Sequence, residues 1–445
     1  MERRDFLKTF GVGAATIAAA SACKSLPSKK SDSIEGEMEY RINPNSGDKV
    51  SILGYGCMRW PKLNPDSPEL DQDAINELVD RALEMGVNYF DASPRYLGGL
   101  CEPATGEALS RHPRESYFVA TKMSNFPPET WSFEASREMF EASLSNFHTD
   151  YIDYYLLHSI GERDNYEKRF VENGILDWLV EQKKAGRIRN LGFSYHGTNE
   201  LFDYLMELHD NGSYHWDFVQ IEMNYFEWTI KKKDGDDCVH LYEELAKRGI
   251  PVVIMEPLLG GGLAKVNDGI LAKLKEKDPR ASAASWAFRF CGTFPAVLTV
   301  LSGMTYMEHL EDNLRTYCGF RPCSEAELLF LAETARQINE FPTVPCTACQ
   351  YCMPCPYGLD IPGIFTHYNK CVNEDHVPTS SMSENYRKAR RAFLVGYDRT
   401  MEYERQASHC VGCHECERKC PQSIKIVSEL RKIDRYVEKL KQEKL

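Results

Sequence analysis

Between residues 50 and 320 the spacing of apolar positions switches repeatedly between two patterns. Short runs rich in β-branched and aromatic residues are VSILGYG (50–56), NYFDA (88–92), YFVATK (117–122), YIDYYLLH (151–158), IRNLGFS (188–194), FVQIEMN (218–224), PVVIMEP (251–257) and AVLTVLS (296–302). Such runs predict strands, and the stretches between them, with apolar residues three and four apart, predict amphipathic helices. AINELVDRALEMG (74–86) and HLYEELAKRG (240–249) are examples. Gly86, Gly186 and Gly249 stand where helices should end, and glycine tolerates the left-handed conformation that closes a helix. Eight strand–helix units over about 270 residues match the count and size of a (β/α)8 barrel. A doubly wound sheet fits less well, because no G-x-G-x-x-G follows a strand and the Gly260-Gly261-Gly262 cluster comes after the seventh strand. The preceding segment MEYRINPNSGDK predicts a small hairpin across the barrel floor.

Composition then narrows the classes. Lys and Arg number 53 against 66 Asp and Glu, a net charge of −13, and 42% of the 445 residues are hydrophobic. This is ordinary for a globular chain and ill suited to tracking a phosphate backbone, so nucleic acid is not an expected partner. No apolar run reaches the length of a membrane-spanning helix.

The N-terminus reads as an address. Arg3 and Arg4 are followed by Phe6, Leu7 and Lys8, then by a weakly apolar stretch rich in Ala and Gly. The pattern resembles a twin-arginine export signal over residues 1–22, against the plainer reading of a frayed basic helix. Ala20-Ser21-Ala22 fits a small-residue cleavage site, and Cys23 after it loosely resembles a lipidation site without the usual Leu. Residues 23–37 read as a polar tether. The expected location is periplasmic, with lipidation at Cys23 the one route to a membrane. Twin-arginine export carries folded proteins, so a cofactor is expected in the rest of the chain.

In a barrel of this type chemistry sits where strands end. The second strand ends at Asp91 with Tyr96 in the loop beyond, the third at Lys122 and the fourth at His158. Taken singly, a buried Asp–Lys pair or a lone His is most often structural. Together they make a working acid. A phenol of pKa about 10 is a poor acid near neutrality, a neighbouring ammonium lowers it, Asp holds the ammonium in place, and His orients a substrate carbonyl.

These residues lie within GVNYFDASPRYLGGLCEPATGEAL (86–109), VATK, LLHS and GFSYHG, in that order. The chain resembles an aldo/keto reductase over residues 38–322. The resemblance implies Tyr96 as general acid, Lys122 as its activator, Asp91 as the partner of Lys122 and His158 as the residue that orients the carbonyl. It also implies NAD(P)H contacts at Ser194, Gln220, Glu256, Pro257, Leu258, Ser302, Gly303, Met304 and Asn313. The basic residue that usually meets a 2′-phosphate is not evident in SGMTYMEH.

Residues 323–445 differ in kind. Of sixteen cysteines, four stand in CTACQYCMPCP (Cys346, Cys349, Cys352, Cys355) and four in CVGCHECERKCP (Cys410, Cys413, Cys416, Cys420). The second run has the bacterial ferredoxin spacing, and the first differs by one residue. Zinc ribbons use separated pairs, and disulfides within such runs are geometrically poor, so two [4Fe-4S] clusters are the expected ligands. In two-cluster ferredoxins the fourth cysteine serves the other cluster. That gives Cys346, Cys349, Cys352 and Cys420 for one, and Cys410, Cys413, Cys416 and Cys355 for the second. The helical pattern of SENYRKARRAFLVGYDR between the runs predicts a mainly helical ferredoxin-like domain. A branch of aldo/keto reductases carries such a tail.

The expected function is a carbonyl/alcohol oxidoreductase acting on a small molecule, coupled to or stabilised by the two [4Fe-4S] clusters. The competing expectation is an iron–sulfur electron-transfer protein whose barrel performs no nicotinamide chemistry. Hydride carries two electrons and a cluster takes one, and no flavin signature joins them. NAD(P)H is not expected outside the cytoplasm, so a redox partner protein or quinone-linked donor is the expected source of electrons.

Overall fold

The computed structural model describes residues 34–64, 67–231 and 237–445, so the export signal, Cys23 and most of the tether lie outside the described residues. A hairpin of β1 (Tyr40–Ile42) and β2 (Lys49–Ser51) precedes eight strands: β3 (Leu53–Gly56), β4 (Tyr89–Asp91), β5 (Phe118–Met123), β6 (Ile152–Ile160), β7 (Ile188–Tyr195), β8 (Phe218–Glu222), β9 (Val252–Met255) and β10 (Val297–Ser302). All eight pair in parallel and in chain order, and β10 returns to β3 to close the barrel. Closure removes every sheet edge.

The strands are short and apolar on both faces because both faces are covered. Inward-pointing Tyr89, Ala120, Tyr154, Leu156, Phe218, Val253 and Leu298 fill the interior. Outward residues join a second, larger core against the helices. The helices start where polar caps allow: Asp71, Ser132, Thr198 and Ser282 each accept a backbone N–H of the first turn. Gly86, Gly186 and Gly249 have positive φ at the ends of helices. At the floor, Asp48 and Asn43 of the hairpin connection meet the Tyr154 hydroxyl at 2.8 and 3.2 Å, which fixes the hairpin under the barrel.

Helix Glu325–Asn339 opens with a full capping box between Ser324 and Glu327, and Glu327 also accepts from Arg289 and Arg321 at 2.9 Å each. Its Leu328, Leu331 and Ala335 belong to the barrel's core. The boundary read at 322/323 thus falls ahead of a helix packed on the barrel, and a separate core begins at Val344. Among the described residues everything after β10 is helical or irregular, with helices Ile361–Asn373, Tyr386–Thr400 and Ile426–Lys441 around that smaller core. No helix among the described residues is long and apolar enough to cross a membrane.

Candidate active site

Parallel register sets the ends of β4, β5 and β6 side by side, with Asp91 opposite Ala120 and Lys122 opposite Leu156. Lys122 is fully buried. Its Nζ donates to Asp91 Oδ1 at 2.6 Å and to the Ala92 carbonyl at 2.8 Å. The same ammonium lies 5.1 Å from the centroid of the Tyr96 ring. The Tyr96 and His158 rings meet edge to face at 5.7 Å. The four residues read from the strand ends therefore stand together.

Their electrostatics correct one expectation. Lys122 was expected to pull the Tyr96 phenol down, but burial pushes it well above its ordinary value of 10, and Tyr351, Asp91 and Cys101 add to the rise. A phenolate here would be cut off from water, and that cost outweighs the ammonium facing the ring. Burial likewise raises the Asp91 carboxyl, against the pull of Lys122. His158 is held neutral by burial, with Lys122 and Arg169 nearby. Its Nδ1 lies 2.6 Å from Ser124 Oγ, and Ser93 Oγ is 2.9 Å from Ser124 Oγ. Arg169 is buried on the π-helical turn Glu167–Val171 and donates to the carbonyls of His158 and Ser159 at 2.7 and 3.2 Å, fixing the end of β6 from behind. This places the 162–174 segment behind the site. Glu227 and Trp228 are buried in helix Tyr225–Thr229.

Above the four residues opens a cavity of about 690 Å³, within the range of small-molecule and cofactor sites. Of the expected nicotinamide contacts, Ser194, Gln220, Glu256, Pro257, Leu258, Ser302, Gly303 and Asn313 line it. Met304 does not. It is buried, and its carbonyl accepts from the Tyr55 hydroxyl at 2.5 Å. Gln220 Oε1 is buried without a hydrogen-bond partner, an acceptor free for an amide donor. Asn313 donates to Ser302 Oγ at 2.8 Å. Arg59 and Lys265, both outside SGMTYMEH, line the same cavity, as does His309 at the end of that stretch. Glu256 is raised to about 7 by burial and by the neighbouring Glu222.

The C-terminal segment roofs this cavity. Thr347, Cys349, Tyr351 and Pro421 all line it. Arg59 donates to the Thr347 carbonyl at 2.9 Å, and Gln422 donates to Glu222 Oε1 at 2.7 Å. Gly260, at φ +66, passes so close that a Cβ there would lie 2.2 Å from the Thr347 Cα. Tyr351 reaches the acid centre: its hydroxyl lies 3.2 Å from His158 Nε2, and it stands beside Tyr96.

The eight cysteines of the two runs form two groups. Cys346, Cys349 and Cys352 lie beside Cys420, and Cys355 shares one small cavity lining with Cys410, Cys413 and Cys416. The groups adjoin through Cys352 and Cys416. Cys413 is exposed and the other seven are half-buried, whereas Cys57, Cys101, Cys238, Cys291, Cys318, Cys323 and Cys371 are all buried. Among the described residues no three His, Cys, Asp or Glu converge on a single-ion site.

Sequence reasoning missed Ser124, Ser93, Arg169 and Tyr351. Ser124 lies two positions after Lys122, and Ser93 two after Asp91, so strand alternation could have found them. Nothing in CTACQYC signals that its tyrosine folds into the barrel.

Such a barrel, with its buried Lys–Asp pair against a tyrosine at the strand ends, defines a class of oxidoreductase. The profile of the aldo/keto reductase family matches residues 52–327, and the chain belongs to that family and is an enzyme of its type. It is 25% identical to L-galactose dehydrogenase of Arabidopsis thaliana over 305 residues, 62% of this chain and 88% of the relative. It is 27% identical to the NADH-specific methylglyoxal reductase of Escherichia coli over 307 residues, 60% and 90% of the two chains. An aldo-keto reductase from Bacillus halodurans, solved in its holo form, superposes with a TM-score of 0.53 at 23% identity, covering 67% of this chain and 96% of that one. This last likeness concerns the fold. The family match ends before the first cysteine run.

Proposed function

We propose that the barrel interconverts a small carbonyl compound and its alcohol, with Tyr96, Lys122, Asp91 and His158 as its acid centre, and that the C-terminal segment holds two [4Fe-4S] clusters. The observation that carries the first half is the buried Lys122, 2.6 Å from Asp91 and 5.1 Å from the Tyr96 ring, at the base of the cavity. Tyr96 keeps its proton at Oη until charge develops on a substrate oxygen. As the proton leaves, Lys122 faces the phenolate that forms, and Asp91 keeps the ammonium aimed. A positioned acid of this kind is worth about 10²–10⁴ in rate. His158 Nε2 orients the oxygen when Nδ1 accepts from Ser124 Oγ. Being neutral, the imidazole adds no competing positive charge.

Ser194, Gln220, Ser302 and Asn313 would hold a nicotinamide dinucleotide, with Glu256, Pro257, Leu258 and Gly303 around it. Bound there, the nicotinamide supplies hydride. Cys346, Cys349, Cys352 and Cys420 would hold one cluster, and Cys410, Cys413, Cys416 and Cys355 the other. Such clusters supply single-electron transfer. The grouping of the thiols and their half-exposure support this assignment. Residues 1–22 are proposed to send the folded chain through the twin-arginine route to the periplasm, with Cys23 as the point of any lipid attachment. Electrons would then come from a redox partner protein or a quinone-linked donor.

A second reading, an electron carrier with an idle barrel, has one observation in its favour: Tyr351 already lies against His158. Tyr96→Phe separates the two. Carbonyl turnover is measured anaerobically with NADPH, NADH or reduced methyl viologen as donor. The enzyme reading expects turnover with at least one donor and its loss in the variant. The carrier reading expects no carbonyl turnover and electron transfer that the variant leaves intact.

A further inference from the structure

The two groups proposed to receive a substrate's reacting oxygen, Tyr96 and His158 Nε2, already share a neighbour, and that neighbour is a tyrosine of this chain. We propose that Tyr351 is a specificity-determining residue of the site: its hydroxyl occupies the subsite of the reacting oxygen, and a substrate reaches Tyr96 and His158 only by displacing it. The inference rests on the acid-centre reading above.

Three observations carry it. The Tyr351 hydroxyl is 3.2 Å from His158 Nε2, and Tyr351 lies beside Tyr96. An alcohol product would present the same kind of O–H to the same two groups. The phenol ring lies in a slot beside Phe126 at 5.9 Å and His158 at 6.4 Å, so the space it fills is that of one aromatic ring. Finally, the ring is delivered by a loop clamped from outside. Arg59 holds the Thr347 carbonyl, Gly260 packs on Thr347, and Cys349 and Cys352 flank Tyr351 itself. The slot therefore selects a planar carbonyl of about a phenol's size, an aryl aldehyde or aryl ketone. It disfavours a bulky aliphatic carbonyl, which would need the whole loop to withdraw.

Acetophenone, titrated calorimetrically into the full, cluster-loaded protein without any electron donor, tests this directly. Y351A should bind it about tenfold more tightly than the wild type, the scale expected when a hydrogen bond to His158 no longer has to be displaced. Y351F keeps the ring and removes only the hydroxyl, so it should fall between the two and guards against a folding defect in Y351A. Adding Y96F to Y351A should return at least about a third of the gain on a logarithmic scale. Where turnover is measurable, Y351F should lower KM and leave kcat unchanged. Equal affinity in wild type and both variants overturns the proposal. So does a gain in Y351A that Y96F leaves intact, because the ligand then merely fills a hole. A Y351F that loses kcat at constant KM also overturns it. Binding needs no turnover. If no donor supports carbonyl reduction while tetrad-dependent binding persists, the functional reading fails and this one stands.

Discussion

The barrel and the C-terminal segment treat the same side chain in opposite ways. In the barrel a thiol is a small buried hydrophobe: Cys101 donates to the Cys57 carbonyl at 3.4 Å and Cys291 to the Met223 carbonyl at 3.2 Å, and burial pushes both thiols up. Protonated and dry, they are inert. In the C-terminal segment seven thiols sit half-buried and Cys413 exposed on the loops around three helices, gathered in fours. The barrel is held by a closed sheet and a large apolar core. The segment has a smaller core, and its cysteine loops are held by local turn hydrogen bonds such as Met353 N to the Gln350 carbonyl and Cys420 N to the Glu417 carbonyl. Position in a packed core, rather than residue type, decides what a cysteine does.

That contrast can be broken or sharpened by substitution. The largest effect is expected from Cys420→Ser. One cluster should be lost, iron per chain should fall by half, and trypsin should cut within Tyr386–Thr400 while the barrel fragment survives. Unchanged iron and unchanged protease resistance would end the cluster assignment. Next comes Lys122→Met, which leaves Asp91 buried without its cation and Tyr96 without the charge that meets its phenolate. Carbonyl turnover should drop about 10²–10⁴-fold, with iron content unaltered. Ser124→Ala should cost about tenfold, a single hydrogen bond to a charged or reacting group, seen in kcat more than KM because it acts through His158.

Glu327→Gln reports on the barrel alone and should cost about 1–3 kcal/mol, visible as a lower Tm. Burial works against the Glu327 carboxylate, but Ser324, Arg289 and Arg321 outweigh it and hold the carboxyl down at about 2. Because the folded value is depressed, the stabilisation is complete above the ordinary 4.5 and is lost as pH falls toward 2. The Tm gap between wild type and variant should therefore close over that window. The smallest effect is expected for Cys57→Ala, about 1 kcal/mol of stability with iron and turnover both retained.

Much of this architecture was legible because local patterns and global fold agree. All eight predicted strands are strands of the barrel, since runs such as YIDYYLLH are apolar on both faces and only a covered parallel sheet hides both. Asp91, Lys122 and His158 were legible because strand ends are where such a barrel exposes side chains. The Tyr96 proton affinity was not, because the sign of a pKa shift depends on how completely the group is buried, and part of the rise comes from Tyr351, more than 250 residues away in the chain. The first run of cysteines drew attention to its thiols, and the tyrosine among them gave no periodic signal. Helix Glu325–Asn339 was assigned beyond the boundary because its amphipathic pattern says that it packs, not on what.

The meeting of Gly260 with Thr347 carries a consequence for exchanging the two parts. One added carbon on the barrel loop would strike the tail's backbone, so the two parts are not interchangeable pieces joined by a tether. A tail transplanted from a related chain onto a barrel with any side chain at this position would find its seat taken. A side chain at 260 and this path of the tail exclude each other.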